Sequence, residues 1–466
     1  MIDNNPPRLT IVVFGGTGDL MKRKLAPAFA SLLKKKIISK DSTIIGIARG
    51  DFNDESYKNL FAESAKSQED RENIKQLKIK FFRGDATNQK SLANLSDFIF
   101  STEPKEGRNR IFYLSTSFKL FPSIIEQLKT QALYEQKNNY FTRIVFEKPF
   151  GVNLASSDEL ERSIHETFSE EQIFRIDHYL AKETVKNISI LKYTNPIFNY
   201  LLRKEVVESI NIIVDEDLGV GNRIAYYNET GAIKDMIQSH LLQVLSLLLM
   251  ENPSELKAEK IHDEKVKVLK SIEILPAENN LLGQYKSYIK ESSLLGTKES
   301  KTETFASIVL ECNNERWKGV KIVLRTGKML KSKFGQIIIN FRQIPDKLKE
   351  NSLDIKNNKL IIDIYPKQDI KLILNTRKPA TQNEIEEISL DFCHESFFGP
   401  NTTDEYATLL ADIIAGDKTL FTRSDELRES WKVIEKIERI KDKIPFLIYP
   451  DGTDPEDMEK NINSVK

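Results

Sequence analysis

The chain has 466 residues, a length at which two or three domains are expected rather than a single core. Lys and Arg together number 69, as do Asp and Glu, so the zero net charge gives no general attraction to nucleic acid or to an anionic membrane. No apolar run approaches the roughly 20 residues that span a bilayer, the start lacks the features of a signal peptide, and the two cysteines have no metal-type spacing, so we expect a cytoplasmic protein in a reducing compartment.

The first part of the chain alternates predicted strands with amphipathic helices. The continuous apolar run at 9–14 is typical of a strand buried on both faces, and a helical pattern follows it at about 22–33. A helical pattern also covers 121–133, and further strands are predicted at 43–48, 79–82, 111–114 and 142–146. This alternation indicates an α/β fold with a Rossmann-like, doubly wound parallel sheet.

A glycine-rich turn, residues 15–20 with the sequence GGTGDL, joins the first predicted strand to the first helix. Its spacing is G-x-x-G rather than the G-x-G-x-x-G of the common dinucleotide fingerprint, and such turns also occur in sheets that bind no ligand. The strand-to-helix setting favours the functional interpretation, because Gly15 and Gly18 would let backbone N–H groups approach a pyrophosphate at the helix N-terminus.

The end of the second predicted strand helps to select the cofactor. NAD-binding versions of this fold place a carboxylate there, which bonds the ribose 2′-hydroxyl. This chain has Arg49, whose guanidinium suits a 2′-phosphate, so NADP is favoured. Asp51 is close enough to weaken that preference, and the alternative is that Arg49 is an ordinary solvated surface residue.

Lys148 follows the last predicted parallel strand, within residues 147–151 (EKPFG). A lysine just past the carboxyl end of such a strand lies in the ligand crevice of an open sheet. Pro149 restricts Lys148 to an extended conformation, which would aim its side chain. The alternative is a turn that simply ends the strand.

Residues 175–183, with the sequence RIDHYLAKE, come directly after a short predicted strand. If a helix starts near Asp177, then His178 and Lys182 fall at i and i+4 on one face, with the Tyr179 hydroxyl beside them. Two donors on one turn near a helix N-terminus form a site for an anion such as a phosphate. Asp177 is a carboxylate placed where it could orient a distant imidazole.

Beyond about residue 187 the pattern changes from alternation to successive strands. Strands are predicted at 207–214, 305–311, 320–325, 336–341, 360–365 and 370–374. Because short polar connections rather than helices separate most of them, we expect an α+β domain with a large antiparallel sheet. Helices are predicted at 231–250, 405–415 and 424–440. We divide the chain into a Rossmann-like domain, 1–176, and the α+β domain, 177–466.

His240 lies where the long predicted helix changes from polar to apolar. For a single histidine beside leucines, a satisfied core residue is the default interpretation. Asp235 changes this, since a buried carboxylate and a buried imidazole on one helix need partners. An imidazole is also a suitable general base for an alcohol that is being oxidised.

Several ordered motifs together resemble the glucose-6-phosphate dehydrogenase family, over about residues 9–454. The motifs are residues 15–24 (GGTGDLMKRK), 147–151 (EKPFG), 175–183 (RIDHYLAKE), 235–240 (DMIQSH), 325–328 (RTGK) and 423–431 (RSDELRESW). The family pattern has glycine where Ala181 stands and asparagine where Ser239 stands. Motifs of this length in this order are far more specific than any one of them.

The resemblance implies oxidation of D-glucose 6-phosphate to 6-phospho-D-glucono-1,5-lactone with hydride transfer to NADP⁺, the first step of the oxidative pentose phosphate pathway. It implies that His240 is the base and that Asp177 fixes its tautomer. The substrate would be bound by Lys148, His178, Tyr179, Lys182, Glu216, Asp235, Lys328 and Lys333. The cofactor would be bound by Gly15, Thr17, Gly18, Asp19, Leu20, Arg49, Glu147 and Lys148. No metal is implied, whereas a homodimer or homotetramer is.

Lys333 and Phe118 depart from the family pattern. Lys333 stands where the family often has arginine and so lacks a bidentate fork, and Phe118 replaces a proline in a turn against the cofactor.

Two alternatives stay open. One is a dehydrogenase of unphosphorylated sugars, which would not need the cluster of His178, Tyr179 and Lys182. The other is a catalytically silent NADPH-binding or assembly protein, which would be expected to lose His240 or Asp177.

Overall fold

The computed structural model describes residues 6–463 except 66, 106, 137–138, 295, 297–299, 344–354, 382–383, 394–395, 397–398 and 400–403. The chain forms two compact units, Met1–Ala181 with Thr403–Ser424 and Lys182–Thr402 with Asp425–Lys466. The predicted division, 1–176 and 177–466, has a single boundary. It therefore puts Thr403–Ser424, the segment in which the chain returns to the first unit, in the second domain. In the structure Leu409 and Ile413 of that segment share a core cluster with Ile11.

The first unit contains six strands, which are β1 (Leu9–Phe14), β2 (Thr43–Ala48), β3 (Lys78–Arg83), β4 (Asn109–Leu114), β5 (Thr142–Phe146) and β6 (Ile173–Arg175). They form one parallel sheet in the order β3-β2-β1-β4-β5-β6. In this doubly wound order the strand sequence reverses between β1 and β4, which leaves a crevice at the carboxyl ends of the strands. The predicted Rossmann-like sheet is therefore confirmed.

Helices pack around this first sheet. They are α1 (Ala26–Lys34), α2 (Asp54–Glu63), α3 (Gln68–Gln76), α4 (Leu95–Thr102), α5 (Phe121–Thr130), α6 (Leu154–His165) and, from the returning segment, α13 (Glu405–Ala415). A short π-helix, Met21–Leu25, precedes α1. Phe29 of α1 lies in the same core cluster as Ile11 and Val13 of β1, so the fold buries the apolar face of the helical pattern predicted at about 22–33. Phe61 of α2, a helix that was not predicted, lies in the same cluster.

The second unit contains the other described strands, which are β7 (Val207–Asp215), β8 (Ile272–Ile274), β9 (Leu281–Tyr285), β10 (Phe305–Cys312), β11 (Lys321–Gly327), β12 (Phe334–Phe341), β13 (Lys359–Tyr365), β14 (Asp369–Arg377), β15 (Ile385–Cys393) and β16 (Phe446–Tyr449). They form one sheet in the order β15-β14-β13-β12-β7-β11-β10-β9-β16, with β8 beside β10. The predicted large antiparallel sheet is confirmed in its main part. It is mixed, because β7 pairs with β11 and β9 pairs with β16 in parallel.

The helices of the second unit are α7 (Glu183–Thr194), α8 (Pro196–Leu201), α9 (Ile224–Ala232), α10 (Leu242–Leu249), α11 (Ala258–Lys270), α12 (Tyr288–Ser293) and α15 (Pro455–Asn463), and α14 (Ser424–Ile440) starts where the returning segment ends. A π-helix, Ile233–Leu241, separates α9 from α10, so the single helix predicted over 231–250 is wrong in its first half. The helices predicted at 405–415 and 424–440 are confirmed. Within the described part of the chain, no helix combines the length and apolar character that crossing a membrane requires.

Candidate active site

The glycine-rich turn lies between β1 and the first π-helix, in the setting that the sequence predicted. The N–H groups of Gly15 and Gly16 both donate to the carbonyl oxygen of Ile47 on β2, at 2.9 and 3.1 Å. Gly15 has a φ of +83°, and a β-carbon there would lie 2.4 Å from the carbonyl oxygen of Ser115, just after β4. Only glycine lets the three chain segments approach this closely.

A cavity of about 420 Å³ opens at the carboxyl ends of β1, β2, β3 and β4. Of the predicted cofactor-binding residues, four line it: Gly15, Thr17, Gly18 and Arg49. Asp19 and Leu20 lead from the turn into the helix and are not part of the lining, and neither are Glu147 and Lys148. The cavity occupies the crevice in which an open parallel sheet binds its ligand.

Two hydroxyl groups on the cavity wall were missed by the sequence analysis. Ser115 Oγ and Thr116 Oγ1 are buried and have no hydrogen-bond partner among the residues that the structure describes. Because buried hydroxyls normally have a partner, their position fits a polar ligand such as the phosphates or ribose of a dinucleotide. The residues present therefore fit a nicotinamide dinucleotide. The available signal was the run of hydroxyl residues, 115–117, directly after the fourth strand.

Arg49 is exposed at the end of β2, on the wall of this cavity. Asp51, the carboxylate that could weaken a preference for NADP, accepts a hydrogen bond from Arg83 Nη1 at 3.2 Å. Hydrogen bonds from Thr87, together with the positive charge of Arg49, lower the pKa of Asp85. Arg83 therefore partly offsets the negative charge of Asp51.

Glu147 and Lys148 follow β5 at the same end of the sheet. Tyr113 Oη donates to Glu147 Oε1 at 2.6 Å, and Tyr406 of α13 also bonds this carboxylate. Burial raises the pKa of Glu147, and the two phenol hydrogen bonds oppose that rise. The peptide bond between Lys148 and Pro149 is cis. Glu147 is held by side chains from two elements, which fixes the start of the turn that carries Lys148.

Residues 177–182 do not form the predicted helical turn, because α7 begins at Glu183. The Asp177 carboxylate accepts a hydrogen bond from the N–H of Tyr179 at 2.9 Å, and the N–H of Leu180 donates to the Asp177 carbonyl oxygen at 3.1 Å. An aspartate side chain that bonds the backbone two residues on stabilises a turn in competition with a helix. The predicted i, i+4 placement of His178 and Lys182 on one helix face is therefore wrong.

The strand before this turn is anchored by an ion-pair network that the sequence analysis missed. Arg175 is fully buried, and its guanidinium donates to both carboxylate oxygens of Glu161, at 2.8 and 2.6 Å. It also donates to both carboxylate oxygens of Glu170, at 2.8 and 3.0 Å. Bidentate pairs of this kind fix geometry as well as charge. The turn that carries Asp177, which is 3% exposed, and Tyr179 therefore follows directly after a strand whose end is fixed in place.

Asp235 and His240 lie on the π-helix Ile233–Leu241, where they are 3% and 1% exposed. In an α-helix, residues five apart would lie about 140° from each other around the axis, because each residue turns the helix by about 100°. In a π-helix the backbone bond joins residues i and i+5, so these two residues lie nearly one above the other. The carboxylate and the imidazole therefore occupy the same side of the helix.

Glu216 and Lys328 come together at the ends of two strands in the second unit. β7 and β11 pair in parallel with Asp215 beside Gly327, so the residues that follow them are neighbours. Lys328 is 4% exposed and forms an ion pair with Glu216. Its Nζ also lies 5.3 Å from the ring centroid of Tyr227. Two of the predicted sugar-binding residues are thus paired in the structure.

Lys182 and Lys333 approach the same aromatic ring, that of Tyr365 at the end of β13. The Nζ atom of Lys182 lies 5.3 Å and that of Lys333 lies 5.8 Å from the ring centroid. Each contact is a cation–π interaction, but two ammonium groups around one ring also repel each other. Two positive charges at one ring form a candidate site for an anion such as a phosphoryl group. No sequence signal pointed to Tyr365.

The predicted catalytic and substrate-binding residues are distributed over both units. Lys148, Asp177, His178 and Tyr179 belong to the first unit, and Lys182, Glu216, Asp235, His240, Lys328 and Lys333 belong to the second. Four groups are brought together within a unit: the residues of the cavity, Glu216 with Lys328, Lys182 with Lys333, and Asp235 with His240.

Known proteins match this chain over almost its whole length. Residues 12–187 match the family profile "Glucose-6-phosphate dehydrogenase, NAD binding domain", and residues 189–465 match "Glucose-6-phosphate dehydrogenase, C-terminal domain". The glucose-6-phosphate 1-dehydrogenase of Borreliella burgdorferi is 38% identical over 454 residues, which cover 94% of this chain and 93% of that protein. The enzyme of Bacillus subtilis is 35% identical, with coverages of 94% and 92%. A solved glucose-6-phosphate dehydrogenase in complex with its substrate glucose 6-phosphate has a TM-score of 0.88 and 31% identity, covering 100% of this chain and 99% of that chain.

Proposed function

The chain belongs to the glucose-6-phosphate dehydrogenase family, and on this premise we propose how its residues divide the reaction among them and which cofactor it prefers. The enzyme oxidises glucose 6-phosphate to 6-phosphogluconolactone, the first step of the oxidative pentose phosphate pathway, and uses a nicotinamide dinucleotide as the hydride acceptor. When bound, the nicotinamide supplies the redox chemistry, and the protein supplies alignment and a base.

His240 removes the proton from the anomeric hydroxyl, and Asp177 orients its imidazole. The motifs at 175–183 and 235–240 support this assignment, since each carries one of the two groups. A carboxylate that accepts a hydrogen bond from one ring nitrogen leaves the other nitrogen as the base, and it stabilises the imidazolium that forms. Burial of both side chains keeps water from competing for them.

The sugar phosphate is bound by Lys182 and Lys333, with His178 and Tyr179 as further donors. The observation that carries this proposal is the approach of both lysines to the Tyr365 ring. Two positive charges at one ring favour a phosphorylated sugar over an unphosphorylated one. Lys148, Glu216, Asp235 and Lys328 bind the sugar hydroxyl groups.

NADP is the preferred acceptor, with the pyrophosphate at Gly15, Thr17 and Gly18 and with Asp19 and Leu20 at the start of the helix. Support comes from Arg49, which lines the cavity at the end of β2. A guanidinium at this position pairs with a 2′-phosphate, whereas NAD-binding relatives of the fold use a carboxylate. Glu147 and Lys148 adjoin the nicotinamide side.

The enzyme forms a homodimer or homotetramer through the face of β14 and β15. Register pairs Ile370 with Phe392, Leu372 with Leu390 and Leu374 with Ile388, so apolar side chains alternate onto one face of both strands. Leu390 is 55% exposed and Ile388 is 42% exposed. A contiguous exposed apolar surface is typical of an interface. A second copy of this chain binds to this face of β14 and β15.

A cytoplasmic location and the absence of a nucleic-acid partner complete the proposal. Cys312 and Cys393 are both free, as expected in a reducing compartment. The numbers of acidic and basic residues balance, so the chain as a whole does not attract nucleic acid.

The test is an activity matrix of NADP and NAD against glucose 6-phosphate, free glucose and fructose 6-phosphate, followed by nucleotide absorbance. We expect turnover with glucose 6-phosphate and NADP, little with free glucose, and weaker use of NAD. Equal rates with glucose and glucose 6-phosphate would contradict the phosphate site. Absence of turnover by the folded protein with every pair would favour the catalytically silent alternative.

A further inference from the structure

Glu303 is a buried carboxylate at the start of the π-helix that carries Asp235 and His240. It is 1% exposed and precedes β10. The N–H of Ile233 donates to Glu303 Oε1 at 3.2 Å, and the N–H of Ala232 donates to the Glu303 carbonyl oxygen at 2.9 Å. The first N–H groups of a helix have no partner within it, and a carboxylate there also complements the helix dipole. Glu303 therefore caps the π-helix from a distant part of the chain.

The chain just before the π-helix is shaped around the same carboxylate. Gly231 has a φ of +61°, and a β-carbon there would lie 2.3 Å from Glu303 Oε1. Glycine is thus required at position 231 both by its backbone conformation and by the space that Glu303 occupies. The other carboxylate oxygen lies 3.0 Å from Nζ of Lys441, which holds the side chain in place.

The residue after Glu303 contacts a second part of the proposed site. The N–H of Lys328 donates to the Thr304 carbonyl oxygen at 2.9 Å. Tyr449 Oη donates to the Lys328 carbonyl oxygen at 2.7 Å and lies 3.0 Å from Thr304 Oγ1. Residues 303–304 therefore hold both the first turn of the π-helix and the backbone of Lys328.

We propose that Glu303 is a positioning residue for the reaction: by capping the π-helix it sets where Asp235 and His240 stand relative to Lys328. The inference rests on the roles proposed above for those three residues. Glu303 itself touches no reacting atom. Its contribution is the fixed geometry of groups that do, and small misplacements of such groups are costly in rate.

The test compares Glu303→Ala with Glu303→Gln, whose amide oxygen can still accept the hydrogen bond from Ile233. We expect Glu303→Ala to lower kcat by between about tenfold and 100-fold while the KM for the nucleotide is unchanged. Glu303→Gln should lose less than about fivefold, because it keeps the cap and loses only the ion pair with Lys441.

Glu426→Ala is the matched control. Glu426 is fully buried in the same unit, and its ion-pair partners, Lys265 at 2.9 Å and His262 at 2.6 Å, lie on α11 rather than on the π-helix. All variants are assayed at a temperature at which circular dichroism shows them folded. We expect Glu426→Ala to lower stability and to keep kcat. An equal fall in kcat for both alanine variants, or an equal fall for Glu303→Gln and Glu303→Ala, would overturn the inference.

A second route covers the case in which Glu303→Ala does not fold. Gly231→Ala leaves the carboxylate present but displaces it from the start of the π-helix, and we expect kcat to fall further than in Glu303→Gln, which keeps the cap. An unchanged kcat in Gly231→Ala would contradict the inference. His240→Asn distinguishes failure of the positioning role of Glu303 from failure of the proposed function. Retained turnover in His240→Asn would refute the proposal that His240 is the base. An inactive His240→Asn beside a fully active Glu303→Ala refutes the positioning role alone.

Discussion

Lys328 is an example of a buried charged side chain that is paired with neighbouring groups at the proposed site. Its ammonium group is almost completely buried, yet it is paired with Glu216 and lies over the face of Tyr227. Removing an ammonium group from water costs several kcal/mol unless partners compensate. The ion pair and the ring contact hold the lysine side chain in one orientation, which is the preorganisation expected of a residue that binds substrate. Individual residues therefore matter through the pairs they form.

His240→Asn is expected to lower kcat by about 10² to 10⁴, because proton removal by the base contributes mainly in the transition state. The KM for glucose 6-phosphate should change little. Steady-state kinetics with both substrates varied, and circular dichroism to confirm folding, provide the measurement. A large rise in KM with preserved kcat would remove His240 from the role of base.

Arg49→Ala is expected to raise the KM for NADP about tenfold, the value of one charge-assisted contact to a phosphate. The KM for NAD should barely change, since NAD lacks the 2′-phosphate. Asp51→Asn is the control: because Arg83 already engages Asp51, its removal should shift the NADP-to-NAD ratio far less. An unchanged ratio in Arg49→Ala would exclude Arg49 as the selective residue.

Secondary-structure elements deviate from their predicted form where the proposed site residues lie. The sequence pattern predicted a helix start near Asp177 and one continuous helix over 231–250. The structure has a side-chain-stabilised turn in the first place and a π-helix in the second. π-helical segments are rare and are frequently found at functional sites. Here the π-helix is capped at its start, and α10, which continues it, is capped at its end.

Lys192 provides the cap at the end of α10. Its Nζ donates to the carbonyl oxygens of Leu248 and Met250, both at 2.6 Å, in a buried position. Lys192→Met is expected to lower the free energy of unfolding by about 2–4 kcal/mol, because two buried carbonyl groups lose their donor. Lys267→Met, which removes an exposed ion pair with Glu264, should cost less than about 1 kcal/mol. Urea unfolding measures both, and equal losses would contradict the capping role.

At the scale of the whole molecule, the chain folds as two compact units, each with its own sheet and its own buried charge network. Arg175 with Glu161 and Glu170 lies in the first unit. Glu426 with Lys265 and His262 lies in the second. Buried networks of this kind make stability depend on pH, because a native carboxylate must be protonated for the network to break. The pH dependence of stability is therefore a property of the fold as a whole.

Glu426 should dominate one part of that pH dependence. Burial raises its pKa, but Lys265 and His262 outweigh burial and hold the pKa at about 2. A glutamate in the unfolded chain has a pKa of about 4.3, so this stabilisation is complete above that pH and is lost as the pH falls toward 2. Between pH 6 and pH 3 we expect the protein to lose about 2 kcal/mol more than Glu426→Gln does. Parallel pH profiles of urea unfolding in the two proteins would refute this.

Substitutions in β15 test the proposed homo-oligomer interface. Leu390→Asp places a charge in the centre of the apolar face, and we expect it to shift the protein from oligomer to monomer, because burying an unpaired carboxylate is costly. Ser389→Asp adds the same charge on the opposite face of the same strand and should leave the oligomer intact. Light scattering after size-exclusion chromatography distinguishes the two. A Leu390→Asp oligomer of unchanged mass would place the interface elsewhere.

The sequence alone determined much of the fold, because burial periodicity is local. The apolar run at β1 and the patterns of α13 and α14 predicted elements that the structure contains with the same bounds. β15 was missed, since its exposed edge position leaves Glu386, Glu387 and Asp391 within a strand pattern. The parallel pair of β7 with β11 could not be predicted either, because it joins strands that are far apart in the chain.

The sequence also determined the chemical groups of the proposed site and their family, through motifs whose residue types are what the chemistry needs. Only the tertiary structure decided how the groups meet. It brought Lys182 and Lys333 to the ring of Tyr365, paired Glu216 with Lys328, and put Asp235 and His240 on one side of a π-helix capped by Glu303. The physical reason is that local patterns encode which faces are buried, whereas partners of buried charges come from any part of the chain that packing brings within hydrogen-bond distance.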